Sequence, residues 1–317
     1  MELQIWQAAV LGIVEGITEY LPVSSTGHLI LASAFMGLTD GESRQAVDDF
    51  NIVIQGGAIA AVVGLYWPSI VRMFKGLAGR DEAGLRLLLN LVIAFVPAGI
   101  LGLLFKEKIE HYLFRPIPVL IALGVGGIYM MIADLKASGR LGRWGVPKMA
   151  SAEPSVFDLK PGQAFFIGCL QCIAMWPGTS RSMMTITGGI WCGMRPKQAA
   201  EFSFLLGLPT LLAATGYSLG KNIYRSRKAG VPNMFHELGM TACLIGIVVA
   251  AIAAAFAVKW LVGFLNKHGL TPFGWYRLAL CAVVGAMIWT GRVAIQPPVK
   301  KAIGSETKMV EGIEWKK

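Results

Sequence analysis

A chain of 317 residues that is 55% hydrophobic and 15% charged, with a mean hydropathy of +0.58, is far more apolar than a soluble domain of its length. Its net charge of +10 does not make it a nucleic-acid binder, because Lys and Arg fall in the loops between apolar runs and in the tail, where lipid headgroups lie. Several apolar runs are long enough to cross a hydrocarbon layer of about 30 Å as helices and lack the alternation of barrel strands, so the class expected is an all-α polytopic membrane protein.

The opening Met1-Glu2 has no basic n-region, so the first helix is expected to remain in the mature protein rather than leave as a signal peptide. Residues 3 to 20 form a helical run that Glu15, Glu19 and Pro22 interrupt before it has crossed a bilayer, and a second short piece, His28 to Leu38, follows Gly27. Two short pieces around a Ser/Thr/Gly turn predict a re-entrant hairpin, whose irregular backbone is tolerated at membrane depth only inside protein or a water-filled cavity. The acidic link Asp40 to Asp49 leads to spans at 50 to 67, 86 to 105 and 117 to 134. A polar stretch, 135 to 162, marks the midpoint. Beyond it come a piece 163 to 176 broken at Pro177-Gly178, a short piece 183 to 193, spans near 201 to 219, 240 to 264 and 275 to 291, and a polar tail, 296 to 317. The five cysteines all lie in apolar segments, and Cys169-x-x-Cys172 is taken as helix packing rather than a redox or metal pair.

The second half repeats the first. Glu15 aligns with Gln171, Leu21-Pro22 with Trp176-Pro177, Ser24-Ser25 with Thr179-Ser180, and Phe50-Asn-Ile-Val-Ile with Phe202-Ser-Phe-Leu-Leu. One integral membrane domain, 1 to 295, is therefore expected, with repeats at about 3 to 134 and 163 to 291. A hairpin plus three spans per half gives the halves inverted topology and brings the two hairpin tips together near the midplane. Under this assignment Lys and Arg divide 14 to each side with Arg181 between, so charge does not set the orientation.

Ionised groups inside the layer cost roughly 2.5–3.5 kcal/mol each unless compensated, which makes the tips functional candidates. Glu15 and Glu19 are one helical turn apart, about 6 Å, and two carboxylates so placed attract a hard divalent ion that shares its oxygens with phosphate, or else serve as structural hydrogen-bond acceptors. Arg181 is the one Lys or Arg placed in the membrane core; its planar fork suits a phosphate, or a salt bridge to Glu15 or Glu19. Helix N-termini after each tip would aim N–H groups at an anion. Ser24, Ser25, Thr26, Ser180 and Ser182 supply hydroxyls that are either reactants or helix caps, and His28 is a base, a phosphate ligand or a structural histidine.

The motif Glu15-x-x-x-Glu19 with Pro22-Val-Ser-Ser-Thr-Gly-His28, together with Pro177-Gly-Thr-Ser-Arg-Ser182, resembles the two signatures of the bacterial undecaprenyl pyrophosphate phosphatases, or bacitracin-resistance proteins, over about residues 3 to 295. The resemblance implies a multi-pass enzyme of the bacterial plasma membrane that removes the terminal phosphate of a polyprenyl pyrophosphate lipid and recycles the carrier for peptidoglycan. It further implies dependence on a divalent metal, Mg²⁺ or Ca²⁺, and a site facing the periplasm or exterior; a homodimer is admissible. Glu15 and Glu19 match the acidic motif, Glu19 with a catalytic as well as a metal role. Ser25 matches the proposed nucleophile and His28 the motif histidine, while Ser180, Arg181 and Thr185 match the phosphate-binding segment, and Ser182, Ser24 and Thr26 are expected to bind the substrate phosphate with them. Met183-Met184 stands where the family carries Gly, a departure expected to alter how closely that loop approaches phosphate. The competing reading is a transporter or flippase using the same midplane cavity.

Overall fold

The computed structural model describes residues 3–38, 41–113, 115–137, 155–230 and 233–291, so the tail 296 to 317 and the middle of the polar stretch lie outside the described residues. Among the described residues the chain is helical throughout, with six helices long and apolar enough to cross a membrane. The first helix, α1 (Ile5–Thr18), has 14 residues and spans about 21 Å at 1.5 Å per residue, short of a full crossing. It is followed after a break by α2 (Ser25–Phe35), and then by α3 (Gly41–Leu65), α4 (Trp67–Leu77), α5 (Glu82–Leu113) and α6 (Pro116–Ala137). A single 3₁₀ turn at Val156–Asp158 leads into the second set: α7 (Pro161–Ile173), α8 (Arg181–Trp191), α9 (Pro196–Ala229), α10 (Met234–Leu238), α11 (Met240–His268) and α12 (Thr271–Trp289).

Local backbone chemistry repeats between the two sets. Both α2 and α8 have 11 residues and stop at a glycine of positive φ, Gly37 at 69° and Gly193 at 91°. At each stop the following N–H reaches back over the last turn, Leu38 to the Ser33 carbonyl at 2.8 Å and Met194 to the Gly189 carbonyl at 3.0 Å. This is the glycine-terminated helix end that satisfies otherwise orphaned carbonyls.

Packing crosses between the sets. Helix α1 lies on α11, and α7 lies on α5. Small residues allow both approaches: a Cβ on Gly12 would stand 2.8 Å from the Gly246 carbonyl oxygen, and one on Gly168 would overlap the Ala94 carbonyl still more. Helix α3 packs on α11 and α9, α12 on α6, and α8, buried along most of its length, on α9.

Two expectations are corrected. The third element begins at Gly41 rather than Phe50, so most of the acidic link is helix and only residues 39 and 40 lie outside the described residues. The polar connection between the first two spans contains α4, whose Ile70, Met73 and Gly76 are buried while Trp67, Phe74 and Leu77 are exposed. An amphipathic helix of this length suits the headgroup boundary rather than the layer itself, and a search for long apolar runs passes over it. It is pinned to the start of α5 by Asp81, which accepts from the Arg72 guanidinium at 2.8 Å and from the Gly84 N–H at 2.8 Å.

Candidate active site at two helix tips

Among the described residues, Ser24 (φ 74°, ψ 98°) and Ser180 (φ 77°, ψ 117°) are the non-glycine residues with positive φ. A side chain rarely adopts this conformation, and such strain concentrates at sites where the surroundings impose it. Each serine stands immediately before the first residue of its short helix. The geometry therefore pairs Ser24 with Ser180 and Ser25 with Arg181, which shifts the aligned Ser24-Ser25 and Thr179-Ser180 by one residue. Proline had anchored that alignment, whereas the turn itself is defined by the residue that takes the positive φ.

The two tips touch. Ser182 Oγ, fully buried, donates to the Leu21 carbonyl at 2.8 Å, and the Arg181 guanidinium meets Glu19 with Nη2 to Oε1 at 3.1 Å. The second Glu19 oxygen, Oε2, accepts from Ser25 Oγ at 3.0 Å. Arg181 also donates through Nη1 to the Ser203 carbonyl at 2.9 Å, and its Nε is buried without a partner. Gly207 on α9 leaves the space this guanidinium occupies, since a Cβ there would lie 2.8 Å from Nη1. Tyr20 stacks below the charge, its ring centroid 5.5 Å from Cζ, with its hydroxyl anchored on the Ala58 carbonyl. Glu15 is one turn back, 2% exposed, with Glu19 and Arg181 as its charged neighbours.

Glu19, Ser25 and Arg181 are thus brought together. His28 is not brought to Ser25: its Nδ1 faces the Ser24 carbonyl at 2.8 Å and its Nε2 faces the Tyr276 hydroxyl at 2.6 Å. Ser182 joins the tips. Thr185, fully buried, contacts Ser203 Oγ at 2.6 Å and the Arg181 carbonyl at 2.9 Å, behind the guanidinium. Ser180 caps α8, accepting from the Met183 N–H at 3.3 Å. Ser24 is buried at the turn and Thr26 half-buried in the first turn of α2. Met183 and Met184 are 1% and 4% exposed and packed into the same apolar core as Tyr20, Leu21 and Val23 of the first tip. All five cysteines are free, and Cys172 Sγ donates to the Gly168 carbonyl within its own helix.

The expectation that Arg181 is the sole core cation is corrected by Arg277 of α12, which is fully buried and donates through Nη2 to the Gly178 carbonyl at 2.7 Å and the Ala122 carbonyl at 2.9 Å. Its place near the start of a predicted span made it read as a loop charge. Removing it from the loops leaves the charge balance near even. Ser203 was visible only as part of the Phe202-Ser-Phe alignment, and nothing in the sequence signalled Tyr276.

A sequence profile described as bacitracin resistance protein BacA matches residues 8–283. An undecaprenyl-diphosphatase of Variovorax paradoxus is 40% identical over 287 residues, covering 90% of this chain and 96% of the relative. Proteins of the same name from Sorangium cellulosum and Nitrosomonas europaea are 42% and 41% identical, covering 88% and 92% of this chain and 85% and 97% of their own lengths. With a match that runs from α1 into α12 and includes both tips, the chain belongs to the BacA family of bacitracin resistance proteins.

Proposed function

We propose that this chain is an integral membrane phosphatase that hydrolyses undecaprenyl pyrophosphate to undecaprenyl phosphate and inorganic phosphate, with bacitracin resistance as the consequence. The observation that carries the reading is the Ser25–Glu19–Arg181 relay across the two tips. Glu19 Oε2 accepts the Ser25 hydroxyl, the geometry of a base beside a nucleophile. Arg181 holds one donor pair on Glu19 and Ser203 and keeps a buried Nε free of partners, so an arriving phosphate can take up the fork that Glu19 now shares.

In the mechanism, Ser25 Oγ attacks the terminal phosphorus while its proton passes to Glu19. The bond from that phosphorus to the bridging oxygen breaks, and the lipid monophosphate leaves. Glu19 hands that proton to the departing monophosphate, and water then cleaves the phosphoserine as Glu19 takes the water's proton and returns it to Ser25 Oγ, releasing inorganic phosphate. Arg181 and the positive N-terminal end of α8 stabilise the charge that spreads over the transferred oxygens. Tyr20 and the surrounding long helices keep bulk water from the guanidinium.

Glu15 and Glu19 are the residues that would hold a divalent ion. Among the described residues no cluster of three or more His, Cys, Asp or Glu forms a protein cage, and a carboxylate pair fits an ion such as Mg²⁺, or Ca²⁺, that shares its remaining positions with phosphate and water. When bound, the ion supplies neutralisation of the pyrophosphate oxygens. His28 on this reading orients the first tip, with Nδ1 on the Ser24 carbonyl and Nε2 on the Tyr276 hydroxyl, and is not the base for Ser25.

The architecture proposed is one membrane domain of two inverted repeats, each a re-entrant hairpin and three spans, in the bacterial plasma membrane with the site toward the exterior. Support comes from the short lengths of α1, α2, α7 and α8, the positive-φ serines at matching positions, and the exchange of hairpin packing between halves. Cysteine labelling of the α4–α5 and α9–α10 connections from either side of intact cells tests the inversion, and crosslinking in membranes tests a homodimer.

The decisive experiment measures phosphate release from a polyprenyl pyrophosphate by the purified chain in detergent. Release that Ser25→Ala abolishes and chelation suppresses supports the reading. A chain that binds the lipid but releases no phosphate is a transporter, and the phosphatase assignment falls.

A further inference from the structure

Helix α12 lies outside both tips, yet two consecutive residues on it reach them. The Tyr276 hydroxyl is 2.6 Å from His28 Nε2, with the rings stacked 4° from parallel, and His28 Nδ1 is in turn 2.8 Å from the carbonyl of Ser24, the positive-φ residue of the first tip. Arg277 donates to the carbonyl of Gly178, the positive-φ glycine of the second tip, at 2.7 Å, and to Ala122 of α6 at 2.9 Å. Neighbouring side chains on a helix diverge by about 100°, which lets one short stretch serve two directions.

The cost of Arg277 argues that its place is specific. A fully buried guanidinium with Nε and Nη1 unpartnered is expensive, and a well-packed apolar residue of similar volume would ordinarily stabilise the fold as well or better. The neighbouring helix is shaped to admit it: a side chain on Gly126 of α6 would collide with Nη2, and one on Gly127 would press on Arg277 Cβ at 3.3 Å. Gly178 is equally constrained, since a Cβ there would stand 2.8 Å from the Val119 carbonyl. The charge is thus spent on holding the backbone of one tip rather than on pairing with a carboxylate.

We propose that Tyr276 and Arg277 are positioning residues for phosphoryl transfer: α12 braces both tips at once, through His28 on one side and Gly178 on the other, and so sets the separation of Ser25 from Arg181. The inference rests on the phosphatase reading above. It accounts for why His28 is engaged away from Ser25, because on this view its ring transmits the position of α12 to the first turn.

The test compares Tyr276→Phe, Arg277→Met, Arg277→Lys and the Tyr276→Phe/Arg277→Met double variant in detergent, with Mg²⁺ and a polyprenyl pyrophosphate, reading kcat, KM and melting temperature. Tyr276→Phe keeps the ring and loses one contact, so kcat should fall about tenfold with KM within about twofold and melting unchanged, a loss in keeping with a sub-ångström displacement of reacting groups. Arg277→Met should lower kcat by about a hundredfold while melting is kept or raised, and Arg277→Lys, which can reach one carbonyl, should recover part of that loss. Because both contacts set one separation, the double variant should lose less than the product of the single losses. Wild-type kcat in Tyr276→Phe, or strictly multiplicative losses, would overturn the brace; should Arg277→Met fail to fold, the Tyr276→Phe and Arg277→Lys arms decide. An inactive wild type would instead overturn the phosphatase reading, and the brace with it.

Discussion

At the first tip Ser24 turns through φ 74° without a side-chain cap, while at the second Ser180 turns through φ 77° with its hydroxyl capping Met183. The two share backbone conformation, the length of the helix that follows and the glycine that ends it, but their side chains divide the labour. Ser25, first residue of its helix, is paired with Glu19, whereas Arg181, first residue of the matching helix, is the cation. Where the first hairpin carries Glu15, the second carries Gln171, which accepts from Thr210 at 3.3 Å and leaves its Nε2 without a partner. A repeated backbone device supplies two helix starts, and the join between them brings Ser25, Glu19 and Arg181 into contact.

If the second tip contributes geometry as well as charge, Arg181→Lys should lose on the order of 10² or more in turnover per folded molecule, because Lys keeps the charge without the fork. Detergent gel filtration checks the fold. A Lys variant near wild-type activity would reduce Arg181 to a counter-ion of Glu19. At the first tip, the proposed mechanism has Glu19→Gln cutting turnover by a similar factor and blunting the response to added Mg²⁺, since on that mechanism one substitution removes the base and a metal oxygen together. Full activity of this variant in excess chelator would take both roles away.

The packing of the hairpins sharpens the comparison at a smaller scale. Gly168→Ala should destabilise by about 1–3 kcal/mol through overlap with the Ala94 carbonyl, and Gly12→Ala by less, because its clearance from Gly246 is greater. Thermal unfolding in detergent would rank them, and equal melting for both would mean that the helices separate freely. Smaller again is the effect of relieving the turns. Ser24→Gly should gain up to about 1 kcal/mol, as release of positive-φ strain exceeds the added backbone entropy, while Ser180→Gly gains less because it forfeits the cap. A loss of stability in Ser24→Gly would show that its conformation is not strained.

The smallest effect lies away from the tips and serves as their control. Its bonds to Arg72 and the Gly84 N–H pull the half-buried Asp81 carboxyl down to about 2. A depressed carboxylate contributes stability that is complete above its ordinary value near 4 and is lost as pH falls toward 2. Acid unfolding should therefore soften between about pH 4 and 2 in wild type and not in Asp81→Asn, with turnover at neutral pH equal in the two. An activity loss in Asp81→Asn would tie α4 to the site.

Much was legible in the residues themselves. Apolar length marks the six long helices, and the cost of charge in hydrocarbon singles out Glu15, Glu19 and Arg181. The break at Pro22 and the one at Pro177-Gly178 announce where the short helices end, since neither proline nor glycine continues a helix well. These are local properties, each carried by a few consecutive residues. Amphipathic α4 was hidden because it is neither long nor uniformly apolar. The one-residue register at the tips, the turning of Met183 and Met184 into the core, and the engagement of His28 by Tyr276 depend on which neighbours arrive. Arg277 is the clearest case. By sequence it is one cation near a helix end, and only the crossing of α12 with α6 and the second tip puts its guanidinium on Gly178, where two carbonyl dipoles, not solvent, receive the charge.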